Sequence, residues 1–165
     1  MDNLTLAAYD FMELVANKLK GHGLILTVRE VEATLSEARY KLTVTDDKYS
    51  NTYEFGVSRP MFLYERDQAA ENITRTLHYR FHNDLDFFNA EEAYKALSNE
   101  AKATFNIACL ERHIELEPYE KKLATELYES GLFDGYADGG MSYGYMIIPK
   151  SVTMRLWSRM KGEKP

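Results

Sequence analysis

Between residues 4 and 58 the hydrophobic pattern changes its period once, and that change constrains the fold more than any single motif. Leu4, Ala7, Ala8, Phe11, Leu14, Val15 and Leu19 recur at three-four spacing, the repeat of one buried helix face. Asn3 is the predicted N-cap and Gly21 the predicted stop. From 24 to 58 the period is two. Residues 24–28 form a compact β-prone run, and Tyr40, Leu42 and Val44 alternate with Lys41, Thr43 and Thr45. After the turn chemistry of 46–51, Tyr53, Phe55 and Val57 resume the alternation. The prediction is a helix followed by three antiparallel strands. Thr27 and Glu30 also carry capping-box spacing, which would open a helix through Ala38. The strand is preferred because Gly23 and the apolar run bound it.

Pro60 closes the sheet region. Ala70, Ile73, Leu77 and Phe81 mark a helical face over 66–81, and Asn83 and Asp84 predict its end. Asn89 with Glu92 predicts a new helix start, and Ser98 another, with Ile107, Leu110 and Ile114 on its core face. Pro118 suits the first turn of a helix ending at Ser130, with Gly131 just beyond it. Ser151 is the predicted cap of a last helix, striped by Val152, Leu156 and Met160. The fold class is therefore α+β: an N-terminal helix, a three-stranded antiparallel sheet and a helix, followed by a helical segment, a short β-hairpin and a C-terminal helix. An α-β-β-β-α subdomain spans 1–82 and a mainly helical one with a Gly/Tyr hairpin spans 89–165, together forming one compact unit.

At 165 residues, 45% of them hydrophobic, the chain can bury a core. Its net charge of −6 disfavours direct nucleic-acid binding, which needs a basic footprint. Residues 61–140 hold sixteen acidic against eight basic side chains, whereas 141–165 hold one against five. A lone cysteine, Cys109, suits a reducing compartment. No apolar run approaches membrane-spanning length, and Asp2, Asp10 and Glu13 interrupt what would be a leader. The expectation is a cytoplasmic protein without membrane partners.

Chemistry-bearing residues are few. His78 and His82 stand four apart on one predicted helix, where two imidazoles could meet one metal, Asp86 or Asp84 could add an oxygen, and a third ligand from far away would be His113 or Glu117. The pair is read as solvated, because no ligand set closes around it. Cys109 is read as a buried structural thiol rather than a nucleophile. Asp134 and Asp138 lie among glycines, but the spacing is ordinary turn chemistry rather than a calcium loop. No cofactor, metal or catalytic residue is assigned.

Five of the nine glycines fall between 131 and 144, with tyrosines beside them. A turn at Gly139 and Gly140 would join a strand near Tyr136 to 142–148, with Gly144 marking a bulge or a close backbone approach. Tyr143 and Tyr145 would then face outward, and Met146 and Ile148 inward. Tyr136, Tyr143 and Tyr145 form one candidate contact patch, and Arg155, Trp157 and Arg159 of the last helix a second. Glu111, Glu115, Glu126 and Glu129 form a third, a carboxylate array able to imitate a phosphate track and occupy a basic groove.

These features favour a non-catalytic protein-interaction module, in the manner of a phage or mobile-element inhibitor of a host nucleic-acid-handling protein. Its partner would be another protein with a basic nucleic-acid-binding groove. One alternative is a small enzyme whose site gathers His78, His82 and His113 with carboxylates. Another is an RNA-binding module. The helix–three-strand–helix order is that of double-stranded-RNA-binding domains, a likeness of element order alone, and Glu65-Arg66-Asp67-Gln68 stands where their basic cluster would be.

Overall fold

The computed structural model describes residues 2–137 and 144–162. These divide between Leu85 and Asp86 into two compact units. The chain is an α+β protein, as its periodicities predict.

In the first unit, α1 (Asn3–Lys20) is capped by Asp2 rather than Asn3. The Asp2 carboxylate accepts the Thr5 N–H at 2.7 Å, and that hydrogen bond holds its pKa below the usual value. Ala8, Phe11, Met12, Val15 and Leu19 form its buried face. Strands β1 (Ile25–Ala33), β2 (Glu37–Thr45) and β3 (Ser50–Ser58) make an antiparallel sheet in the order β1-β2-β3. Residues 27–33 are thus strand. Thr27 pairs with Thr43 and Glu30 with Lys41, so the capping-box spacing serves a ladder, with a bulge at Arg29 between Val28 and Glu30. Thr34 tightens the first hairpin, its N–H donating to the Glu37 carbonyl at 2.8 Å. Asp46 sets the second by accepting the N–H groups of Lys48 and Tyr49, each at 2.8 Å.

Alternation along β2 turns Ala38, Tyr40, Leu42 and Val44 into the core. The Tyr40 hydroxyl donates to the Ala8 carbonyl of α1 at 2.8 Å, which gives a buried polar atom its partner. The opposite sheet face carries cross-strand rows such as Glu30, Lys41 and Glu54. Pro60 opens the short α2 (Arg59–Leu63), which buries Phe62.

Helix α3 runs unbroken from Arg66 to Lys95. The break expected at Asn83 and Asp84, and the new start at Asn89, do not occur. An aspartate interrupts a helix when its carboxylate competes for local backbone. Here the Asp84 carboxylate is engaged elsewhere, accepting the Tyr53 hydroxyl at 2.7 Å and the Asn51 amide at 2.9 Å from β3.

In the second unit, Ser98 caps α4 (Asn99–Glu111) as predicted. A three-residue β4 (Ile114–Leu116) and a 3₁₀ turn at Pro118–Glu120 lead to α5 (Lys121–Glu129). Strands β5 (Phe133–Ala137) and β6 (Tyr145–Pro149) pair antiparallel, β6 lies central in the order β4-β6-β5, and α6 (Ser151–Met160) follows. Ser151 is the first residue of α6, and Lys150 is its N-cap. Thr153 and Leu156 are its buried residues, while Met160 is exposed. The core gathers Phe105, Ala108, Cys109, Leu127, Leu132 and Ile147.

Two faces are the reverse of those expected. On α4, Ile107 and Leu110 point outward, and Ala101, Thr104, Phe105, Ala108 and Cys109 point inward. This helix meets α5, α6, β4 and β6, and mostly small side chains on its inner face allow close approach. On β6, Tyr145 and Ile147 are buried while Ile148 is 39% exposed. The ladder pairs Leu116 with Tyr145 and Ile114 with Ile147. Strand side chains alternate strictly, so an inward Ile147 carries Tyr145 inward with it.

Among the described residues no helix is long and apolar enough to cross a membrane.

Candidate functional site

The outward face of α4 is the one left over once the helix packs on α5, α6, β4 and β6. With Ser98 fixing the first turn, Glu100, Ala103, Asn106, Ile107, Leu110 and Glu111 share one side of the helix, and all are exposed. Ile107 is 55% and Leu110 63% exposed. Ala103, Ile107 and Leu110 hold the three-four spacing that a helix uses to enter a partner's groove. Carboxylates stand at both ends, Glu100 in the first turn and Glu111 in the last. Glu115, exposed on β4, continues the acidic border in sequence.

The other predicted contact residues are scattered. Tyr145 belongs to the core, which removes it from the tyrosine patch. Tyr136 stands in β5 opposite Met146, and Tyr143, with Gly139, Gly140 and Asp138, lies outside the described residues. Trp157 is half-buried against the second core with the Lys161 ammonium 4.0 Å from its ring centre. Arg155 is exposed. Arg159 is 3.2 Å from the Glu91 carboxylate and lies over the Phe87 ring, so α6 uses it within its own unit. Glu126 accepts the Ser98 N–H and hydroxyl, both at 2.8 Å, and so braces the start of α4. Glu129 is exposed on the rim of an open groove of about 960 Å³ beside Lys121, Lys122 and Leu97.

Cys109 is fully buried, and burial pushes its thiol up to about 12, which silences it as a nucleophile near neutral pH. Asp134 has the Lys150 ammonium at 3.9 Å.

The histidines assemble in a way the sequence alone does not show. His78 and His82 meet on α3 with their Nε2 atoms 3.1 Å apart. The neighbour is His22, in the turn after α1, whose ring centre is 4.6 Å from that of His78. His113 is exposed after α4 and belongs to the second unit. Burial lowers the pKa of His78, and the charges of His82 and His22 lower it further. Nothing in the linear order pairs position 22 with 78. The signal that could have found it is compositional, since three of the four histidines fall on the edges of one predicted helix-sheet unit.

No protein-family model, curated protein or solved structure matches this chain.

Proposed function

We propose that this chain is a cytoplasmic, non-catalytic protein-binding module that offers the outward face of α4 to its partner. The observation carrying this reading is the exposed Ala103-Ile107-Leu110 stripe with a carboxylate at each end. Exposure of two large aliphatic side chains at groove-binding spacing favours a contact role. A complementary partner has an apolar groove bordered by basic groups, and a nucleic-acid-handling protein carries such basic groups for its phosphates. The Glu100 and Glu111 charges would speed encounter and make it salt-sensitive, while Ile107 and Leu110 would set the dissociation rate.

Capture from a lysate of the cells that carry the gene tests this, using wild type beside Ile107→Gln with Leu110→Gln, and Glu100→Lys with Glu111→Lys. A captured protein lost on both folded variants, and released from wild type by salt, supports the reading. Equal retention on all three overturns it.

A further inference from the structure

We infer that His78 and His82 chelate one divalent transition-metal ion through their Nε2 atoms, with the His22 imidazole as third ligand. Two imidazoles at i and i+4 of a helix share one face, and here their Nε2 atoms are 3.1 Å apart across rings inclined at 72°. An ion about 2.1 Å from both nitrogens would see them at roughly 95°. That bite is near the right angle of tetragonal nickel or copper sites and somewhat closed for tetrahedral zinc. Imidazole is a ligand that all three of these ions accept.

The third ring is close. His22 is exposed and follows the last turn of α1, with its ring centre 4.6 Å from that of His78 at an inclination of 45°. Among the described residues no three His, Cys, Asp or Glu side chains already converge as a ligating group. The His22 ring lies tilted against that of His78, and rotation of its exposed side chain would bring a ring nitrogen toward the pair. The Lys18–Glu71 ion pair, at 3.2 Å, already ties the same ends of α1 and α3. A metal there would cross-link elements 56 positions apart in sequence.

His82 also sets its ring edge-on to Phe81, with ring centres 5.9 Å apart. His22 and His82 are exposed, and one imidazole donates to its neighbour between the two Nε2 atoms.

The test uses the full chain freed of metal by a chelator, titrated with nickel(II) by calorimetry at pH 7.5, with ring-nitrogen NMR identifying the ligands. One ion per chain is expected, with ring shifts at His22, His78 and His82 and a rise in melting temperature. His78→Gln and His82→Gln should each weaken binding roughly tenfold or more. His22→Gln should weaken it less but measurably, and His113→Gln not at all. Circular dichroism checks that each variant is folded. Unchanged nickel affinity in His78→Gln or His82→Gln, or no binding by wild type, overturns the site. Unchanged affinity in His22→Gln overturns the three-ligand assignment.

Discussion

Replacing Gly144 with alanine should unfold the second unit far more readily than the same change at Gly131, and the difference isolates one steric contact. Both glycines have positive φ, +91° at Gly144 and +78° at Gly131. Alanine at either loses about 1–2 kcal/mol to left-handed strain, and both changes restrict the unfolded chain alike. They differ in surroundings. A Cβ at Gly131 meets nothing within 4 Å, whereas one at Gly144 would lie 2.1 Å from the Leu116 carbonyl oxygen. Leu116 would have to retreat by about 0.9 Å to reach even 3.0 Å. That residue ends a three-residue strand whose last rung pairs Leu116 with Tyr145. Overpacking of this kind costs about 1–3 kcal/mol, and a lost ladder hydrogen bond adds about 1 kcal/mol. Gly144→Ala should therefore cost about 3–6 kcal/mol, a large share of the roughly 5–15 kcal/mol that holds a domain together. Trp157, the only tryptophan, packs on this core and reports its unfolding. In urea the midpoint should fall by about 2 M for Gly144→Ala, and by about 1 M or less for Gly131→Ala. Equal midpoints would refute the claim that Gly144 exists to let β4 approach.

Other consequences are as direct. Phe105→Ala should cost about 3–5 kcal/mol in the same assay, while Ile107→Ala or Leu110→Ala should cost under about 1 kcal/mol, reversing the order that hydrophobicity along α4 suggests. Tyr128→Phe removes the hydroxyl that donates to the Met146 carbonyl at 2.8 Å and should cost about 1 kcal/mol. Cys109, buried with its thiol at about 12, should resist alkylation at pH 8 in the native protein and react at once in denaturant; rapid native labelling would place it at the surface. The Asp46 carboxyl, held below its usual 3.8 by the Lys48 and Tyr49 N–H groups, stabilises the second hairpin above pH 3.8. Because the folded state binds its proton less tightly than the unfolded state, that contribution is lost as pH falls through the lowered value. NMR titration of the Asp46 carboxyl carbon would show the displaced midpoint, and an ordinary midpoint would contradict it.

Periodicity was legible wherever a segment had one wet face. The helix at the N-terminus, the alternation of β2 and β3, the Ser98 cap and the Gly131 stop all follow from local rules. The errors share a cause. Asp84, Ile107 and Tyr145 were each assigned from neighbours in sequence, but a partner elsewhere decided them: Tyr53 and Asn51 for Asp84, the helices and strands around α4 for Ile107, and the β4 ladder for Tyr145. The candidate surface was hidden for the same reason, since an apolar stripe reads as core until its helix is seen from both sides.

By itself the sequence determined the α+β class, the order of most elements and the Ser98 cap of α4, because these depend on contacts within a few residues. It also supplied the acidic balance and the i, i+4 histidine pair. Only the tertiary structure decided which face of α4 is wet, why Gly144 must lack a side chain, and that His22 stands beside His78. Those outcomes depend on atoms dozens of residues apart being brought within a few ångströms. No local period encodes that proximity, because it arises from the packing of whole elements against one another.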